Sequence, residues 1–415
     1  MSRCGIVTTI RTIRTWILVA LAAALLAVPA HANPAADLLE PPRDPAKIMP
    51  TPPADAFYVP PPGFEAKAPG TLLAVRTTGG IWPTARALEL LLRSTDAHDR
   101  PIPAVATLLL PNAPWTGPGT RPLVSYNHPI SSLGSDCAPS VELKQSRTNG
   151  ILPIQLLLTK NYAVVVPDHQ GPRQAYAAGR LGGHIILDAV RAVLHTPMPG
   201  LDPASPVVMT GYSGGAIATS WAAQLAATYA PELTITAALI GGGPTDYRLV
   251  VPAMNGRNAA SGVLLAAALG LAREYPELLS LLNDNGWRLA QLFKDMCVES
   301  ESNLGALLPI RVEQLTNVPD PLSVPIVRQV LAENRPGATA PRMPIFLYHG
   351  RQDIWIPYAS SEVLYRDWCA HGARVRLQPL PGEHFIVGVT EVLIDHFWVE
   401  DALAGTLVPQ GCNHN

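Results

Sequence analysis

Lysine is scarce in this chain: Lys47, Lys67, Lys144, Lys160 and Lys294 are the only five among 30 basic side chains. With 43 prolines and abundant alanine, that scarcity points to a GC-rich bacterial genome more than to any function. A basic excess is missing as well, since the formal charge is −2. No surface of this composition tracks a phosphate backbone, and nucleic acid is excluded as a partner. Metal-ligand spacing is absent, because no two of the five cysteines form a C-x-x-C unit; no structural zinc is expected. Internal repeats and low-complexity tracts are lacking too, which removes solenoid and propeller architectures.

The apolar run from Trp16 to Val28 is shorter than the roughly 20 residues a membrane span needs, and Pro29 follows it directly. Arg3, Arg11 and Arg14 precede the run, and Ala30-His31-Ala32 supplies an A-x-A cleavage site. Residues 1–32 are therefore expected to be a cleaved secretory signal, so the protein is secreted or periplasmic, with no stable membrane anchor. The arginines are not adjacent and Cys4 lies before the run, so neither a twin-arginine signal nor a lipoprotein site is supported. Cleavage removes three arginines and no acid, moving the formal charge from −2 to −5. What remains is long enough for one large core with an insertion or for two domains, and 48% hydrophobic residues fill it. Four cysteines remain, Cys137, Cys297, Cys369 and Cys412. An even number in an exported chain favours two disulfides, with three connectivities open.

Residues 33–70 are rich in proline and alanine and lack a period, so they are expected to wrap the surface in extended form. Eight short apolar or β-branched runs follow: Thr71 to Arg76, Ile102 to Leu110, Leu123 to Tyr126, Tyr162 to Val166, Pro206 to Met209, Ile235 to Ile240, Ile345 to Tyr348 and Arg374 to Leu380. Helical stretches alternate with several of them, notably Gly182 to Leu194 and Ala216 to Ala227, which predicts an α/β fold with a mostly parallel central sheet and helices on both faces. Between Tyr247 and Pro341 the strand signals stop and helical runs take over, at Ser261 to Arg273, Pro276 to Asn283 and Trp287 to Cys297. This predicts a core of 71–246 and 342–415 with a helical cap, or lid, inserted at 247–341. The uncharged stretch Ala259 to Ala272 reads as a buried cap helix in preference to a lipid-facing lid.

Gly211-Tyr212-Ser213-Gly214-Gly215 joins the run ending at Thr210 to the helical stretch after it. A serine hydroxyl is a poor nucleophile unless a tight strand-to-helix turn holds it where a histidine can reach it, and G-x-S-x-G in this context is such a nucleophile elbow. Downstream, His349-Gly350-Arg351-Gln352-Asp353 follows a late strand, and Pro381-Gly382-Glu383-His384 follows the last one. The chain order Ser, Asp, His is the one the α/β-hydrolase fold imposes, so Ser213, Asp353 and His384 are the expected triad. His371 and His396 are the rival histidines; the first precedes the last strand and the second lies in the final helical run. Of the two oxyanion donors required, one is the N–H of Gly214. The other is expected from Ser125-Tyr126-Asn127-His128-Pro129, where proline has no N–H, leaving Asn127 or His128, through backbone or side chain, with His128 preferred. Pro167-Asp168-His169-Gln170-Gly171 reads as a structural brace around the nucleophile, not as a second site.

Taken together, Val124-Ser-Tyr-Asn-His128, Asp136-Cys-Ala-Pro-Ser140, Pro167-Asp-His-Gln-Gly171, Leu187-Asp-Ala-Val-Arg191, the elbow and the His-Gly-x-x-Asp loop resemble the secretory lipase family of fungi and bacteria. The likeness spans about residues 70 to 412, and Asp-Cys-Ala-Pro-Ser is its most discriminating element. The resemblance implies hydrolysis of small-molecule or lipid acyl esters, a cap over the acyl tunnel, transient contact with a lipid interface through that cap, and no cofactor. It also implies the pairs Cys137 with Cys297 and Cys369 with Cys412. Two departures accompany it: the position equated with His128 can carry an aspartate in that family, and the C-terminal flap that covers such sites has no counterpart after Cys412. Two other classes carry related expectations. A prolyl-oligopeptidase-type peptidase shares the triad order but is preceded by a propeller, and a catalytically silent hydrolase-fold binding protein usually lacks a triad member.

Overall fold

The computed structural model describes residues 43–148, 150–406 and 409–414. The expected signal segment and residues 33–42 lie outside the described residues.

β1 (Leu72–Thr77), β2 (Ala85–Thr95) and β3 (Pro101–Pro111) form an antiparallel meander. The sheet continues through β4 (Leu123–Asn127), β5 (Ala163–Pro167), β6 (Val207–Tyr212), β7 (Ile235–Gly241), β8 (Ile345–Gly350), β9 (Val375–Leu380) and β10 (Cys412–His414). Its spatial order is β1-β2-β3-β5-β4-β6-β7-β8-β9-β10, antiparallel as far as β5 and parallel beyond it. The parallel strands are Val- and Leu-rich, and β4, β5, β6 and β8 are buried along their whole length, as helices on both faces require.

Each of the eight apolar runs corresponds to a strand, and β2 and β10 are additions. β2 reads Ala-Arg-Ala-Leu-Glu-Leu-Leu-Leu-Arg, a text of helix formers. Pairing on both edges, to β1 and β3, overrides that propensity.

Four helices precede β7 among the described residues: α1 (Pro139–Gln145), α2 (Ile151–Thr159), α3 (Gly179–Leu194) and α4 (Gly214–Tyr229). Between β7 and β8 come α5 (Tyr247–Met254), α6 (Ala260–Glu274), α7 (Asp284–Phe293), α8 (Val298–Leu307) and α9 (Pro325–Glu333). α10 (Ala359–Ala370) and α11 (His384–Ala404) complete the set among the described residues. The core is split by the sheet. On one face α3, α4 and the β7–β8 insertion share a cluster with Val207 and Met209, and on the other Val399 and Ala402 of α11 join Ile154 and Leu157 of α2.

α6 is buried on nearly every side, with Ala260, Leu265 and Ala266 at or below 3% exposure, so its lack of charge serves packing. The stretch after Pro276 is a 3-10 turn ending at Leu281. The described part of the proline-rich segment holds three 3-10 turns, at Pro45–Ile48, Ala56–Tyr58 and Phe64–Ala66. Hydrogen bonds from Thr51 to Asp295 and from Arg76 to Asp55 tie it down. Disulfides join Cys137 to Cys297 and Cys369 to Cys412. The first ties the approach to α1 to the insertion, and the second ties β10 to α10.

Candidate active site

β6 ends at Tyr212 and α4 begins at Gly214, which leaves Ser213 alone in the turn at φ 50°, ψ −115°. A non-glycine residue holds such a conformation only where its surroundings over-determine it. The neighbouring strand does so here. A Cβ at position 215 would stand 1.9 Å from the Asn127 carbonyl oxygen of β4, so α4 enters against the sheet only with glycine there.

Asp353 sits in the loop after β8. Its Oδ1 accepts the backbone N–H groups of Trp355 at 2.9 Å and Ile356 at 2.8 Å, and its Oδ2 lies 2.6 Å from His384 Nδ1. His349 Nε2 stands 3.2 Å from the same oxygen. That histidine is oriented by Ser361 Oγ at 2.7 Å on Nδ1 and the Ile356 carbonyl at 2.9 Å on Nε2. Burial raises the Asp353 pKa, but hydrogen bonds from His349 and His384 outweigh it and hold the carboxyl well below the usual range. Asp353 is therefore a fixed negative charge.

His384 opens α11 behind Glu383, whose side chain caps the helix by accepting the Ile386 N–H at 3.0 Å. With Nδ1–H given to Asp353, Nε2 presents its lone pair to Ser213 Oγ at 2.9 Å. The ring is confined by Trp355, stacked at 6.0 Å and 11°, and by Tyr212 at 5.1 Å. The Tyr212 hydroxyl donates to the His384 carbonyl at 2.6 Å. The structure thus brings Ser213, His384 and Asp353 into one hydrogen-bonded row. The rival histidines lie elsewhere: His371 is exposed with Nδ1 on the Asp367 carbonyl, and His396 is beside Glu400.

The row opens on a cavity of about 430 Å³ lined by Ser131, Tyr176, Met254, Leu264 and Val389 among others. Its walls are aliphatic and aromatic apart from a few hydroxyls and the His384 ring, which suits an apolar ligand with one polar reacting group. Among the described residues, no group of three or more His, Cys, Asp or Glu side chains is arranged to hold a metal ion.

Of the two residues expected to offer the second oxyanion donor through backbone or side chain, neither Asn127 nor His128 turns its side chain into the cavity. Asn127 is fully buried, with Oδ1 accepting from Ser125 Oγ at 2.9 Å and Nδ2 donating to Thr219 Oγ1 at 2.8 Å; it staples β4 to α4. His128 turns its Nε2 to Thr148 Oγ1 at 2.9 Å. Burial first, and the charge of His169 second, push its pKa down to about 3. The hydroxyl that does face the cavity is Ser131, whose Oγ would lie 3.1 Å from a Cβ on Gly214. The sequence signal for it is slight: one hydroxyl among several between Tyr126 and Asp136. His349, legible within its motif but without an obvious role there, proves to be a second partner of Asp353.

The Pro-Asp-His-Gln-Gly turn is structural. Asp168 accepts the Ser140 N–H at 2.8 Å and its hydroxyl at 2.6 Å, and His169 Nε2 bonds the His128 carbonyl at 2.9 Å. It braces the loops flanking Ser131.

The family model described as Secretory lipase matches residues 144–411. A secreted triacylglycerol lipase of Malassezia restricta is 31% identical over 359 residues, spanning 80% of this chain and 75% of its own length. A protein of Mycobacterium tuberculosis described as a probable inactive lipase is 30% identical over 384 residues, spanning 86% and 84% respectively. Among solved structures, the X-ray structure of Candida antarctica lipase A superposes with a TM-score of 0.79 at 27% identity, covering 87% of this chain and 88% of that one.

Proposed function

This chain belongs to the secretory lipase family, and from that membership we propose that it is an exported serine hydrolase cleaving acyl esters through Ser213, His384 and Asp353. The α/β-hydrolase fold it shares with its structural relatives supplies the frame. The observation that carries the reading is the continuous row Asp353, His384, Ser213 opening on an apolar cavity.

In this reading Ser213 Oγ attacks the acyl carbonyl while His384 Nε2 takes the serine proton. The carbonyl electron pair moves to oxygen, where the Gly214 N–H and the Ser131 hydroxyl meet it. Collapse expels the alcohol, which leaves with the proton from His384, and the acyl group stays on Ser213. Water activated by the same imidazole then releases the acid. Asp353 keeps the imidazole tautomer and stabilises its protonated form.

The insertion, residues 247–341, serves as the cap, with α5 and α6 walling the acyl side through Met254 and Leu264. Contact with lipid aggregates runs through α11 as well as through the cap, where Leu292, Leu307 and Leu308 are exposed. Phe385, Ile386, Val389, Leu393 and Phe397 are each more than half exposed on α11, whereas α6 is buried. Export is supported by the two disulfides and by the secreted relative; residues 1–32 act as the signal.

The relative described as probably inactive makes the nucleophile the first thing to test. p-Nitrophenyl esters of two to sixteen carbons are hydrolysed by the wild type and labelled serine appears with a fluorophosphonate probe, and both are lost in Ser213→Ala. Unchanged hydrolysis in Ser213→Ala, or no labelling of pure folded wild type, sinks the reading. An optimum at long chains identifies a lipase, and one at two to four carbons an esterase.

A further inference from the structure

A second cavity, of about 330 Å³, is lined by Arg248, Leu322, Arg328, Leu331, Ala332 and Arg335. α5 touches both cavities. Tyr247, Val250 and Met254, spaced three and four apart on one helical face, line the Ser213 cavity, whereas Arg248 belongs to the second.

α9 supplies most of the apolar wall. Pro325 starts the helix and Val330, 1% exposed, anchors it to the core. Arg328, Leu331 and Ala332, at i, i+3 and i+4, share the side that lines the cavity. Leu322, in the 3-10 turn Pro321–Ser323 just ahead of α9, adds a further aliphatic side chain.

Ion pairs fix two of the three arginines. Asp246, 3% exposed, caps α5 and accepts Arg248 Nη2 at 2.6 Å and Arg335 Nε at 3.0 Å. Asp367 of α10 takes the Nη2 end of Arg335. Arg328 has neither an ion pair nor a side-chain hydrogen bond among the described residues, and Glu333, the acid of its own helix, accepts from Gln329 at 2.8 Å instead. Three guanidiniums thus meet two carboxylates, which leaves one cation in excess beside a hydrocarbon wall.

A guanidinium fork matches a carboxylate, and the aliphatic wall matches an alkyl chain. A small anion would use only the first of these, and an alcohol only the second. The volume falls within the range of small-ligand pockets. We propose that this cavity is a second ligand site, which takes a medium-chain alkyl carboxylate with its head on Arg328 and its chain along Leu322, Leu331 and Ala332. The site goes beyond the ester-hydrolase reading and does not depend on it.

The test uses octanoate carrying a photoreactive diazirine at its chain end, crosslinked to the whole protein and mapped by peptide mass spectrometry. Label is expected within residues 321–335, competed by octanoate but by neither acetate nor octanol at the same concentration. Measured by competition for that label, affinity rises about fourfold per methylene from hexanoate to octanoate, the transfer free energy of one buried CH₂. It falls about tenfold in Arg328→Glu, the scale of a lost charge-assisted hydrogen bond. Ala332→Trp, at an exposed helix position, fills the cavity while keeping every charge, and abolishes the label. Label confined to the walls of the Ser213 cavity, label at 321–335 that survives both variants, or acetate competing as well as octanoate overturns the site. A protein that takes the label but hydrolyses no ester would sink the hydrolase reading and leave this one standing.

Discussion

Two buried aspartates meet opposite fates. Asp353 is desolvated, yet two imidazoles and two backbone N–H groups surround it, and its pKa falls. Asp168 is desolvated with only Ser140 to bond it, and burial pushes it up to about 7. The consequences for stability have opposite signs. Asp353, depressed when folded, contributes stability above its unfolded pKa that is lost in acid. Asp168, raised when folded, contributes stability below its unfolded value near 3.9, and that contribution is lost as pH climbs to about 7. Asp168→Asn keeps a carbonyl for the Ser140 N–H and escapes the titration. Its melting temperature relative to wild type is expected to rise between pH 4 and pH 7, as measured by thermal unfolding at pH 4, 5.5 and 7. A difference independent of pH would show that Asp168 enters the folded state ionised.

α11 performs three tasks at once. Its first residue is His384, its inner face buries Val387, Val399 and Ala402, and its outer face leaves Phe385, Ile386, Val389, Leu393 and Phe397 to solvent. Those five recur at helical spacing and form one stripe running away from the cavity mouth, where Phe385 and Val389 also line the cavity. A contiguous apolar stripe beside a substrate entrance marks an interaction surface. Leu393→Glu and Phe397→Glu lie clear of the cavity lining. They are expected to leave the rate on a dissolved butyrate ester unchanged and to lower the rate on an emulsified triglyceride about tenfold for the pair, since each removes most of a buried apolar side chain's transfer free energy at the interface. Equal rates on the emulsion would mean that lipid approaches from another side.

At the scale of the molecule, the two disulfides close loops of different size, with sequence separations of 160 for Cys137–Cys297 and 43 for Cys369–Cys412. By chain entropy the longer loop contributes about 1 kcal/mol more to stability. It also fixes the insertion to the segment just after Ser131. The Cys137→Ser/Cys297→Ser variant is therefore expected to lose more unfolding free energy in guanidinium titrations than Cys369→Ser/Cys412→Ser, and to be the only one of the two with reduced kcat. The reverse order would place the stabilising constraint at the β10 edge.

The meeting of Ser213, His384 and Asp353 in one hydrogen-bonded row was legible in the sequence because each signal is local: a strand, a turn of small residues and a helix around Ser213, and a post-strand loop for each of the other two. Local signals also predicted the alternating strands and helices and the buried, uncharged α6. β2 was hidden because its residues prefer helix and only pairing on both sides makes them a strand. The placing of the Ser131 hydroxyl in the cavity beside Gly214 was decided by tertiary structure alone. Ser131, Tyr176 and Gly214 come from three separate stretches of chain, and their approach depends on Arg273 of the insertion, which donates to the carbonyls of Leu133 and Gln174. Sequence encodes the strand-turn-helix around Ser213 within five residues, whereas the side chains that share the cavity with it depend on distances between loops, and packing sets those distances only once the whole chain has closed.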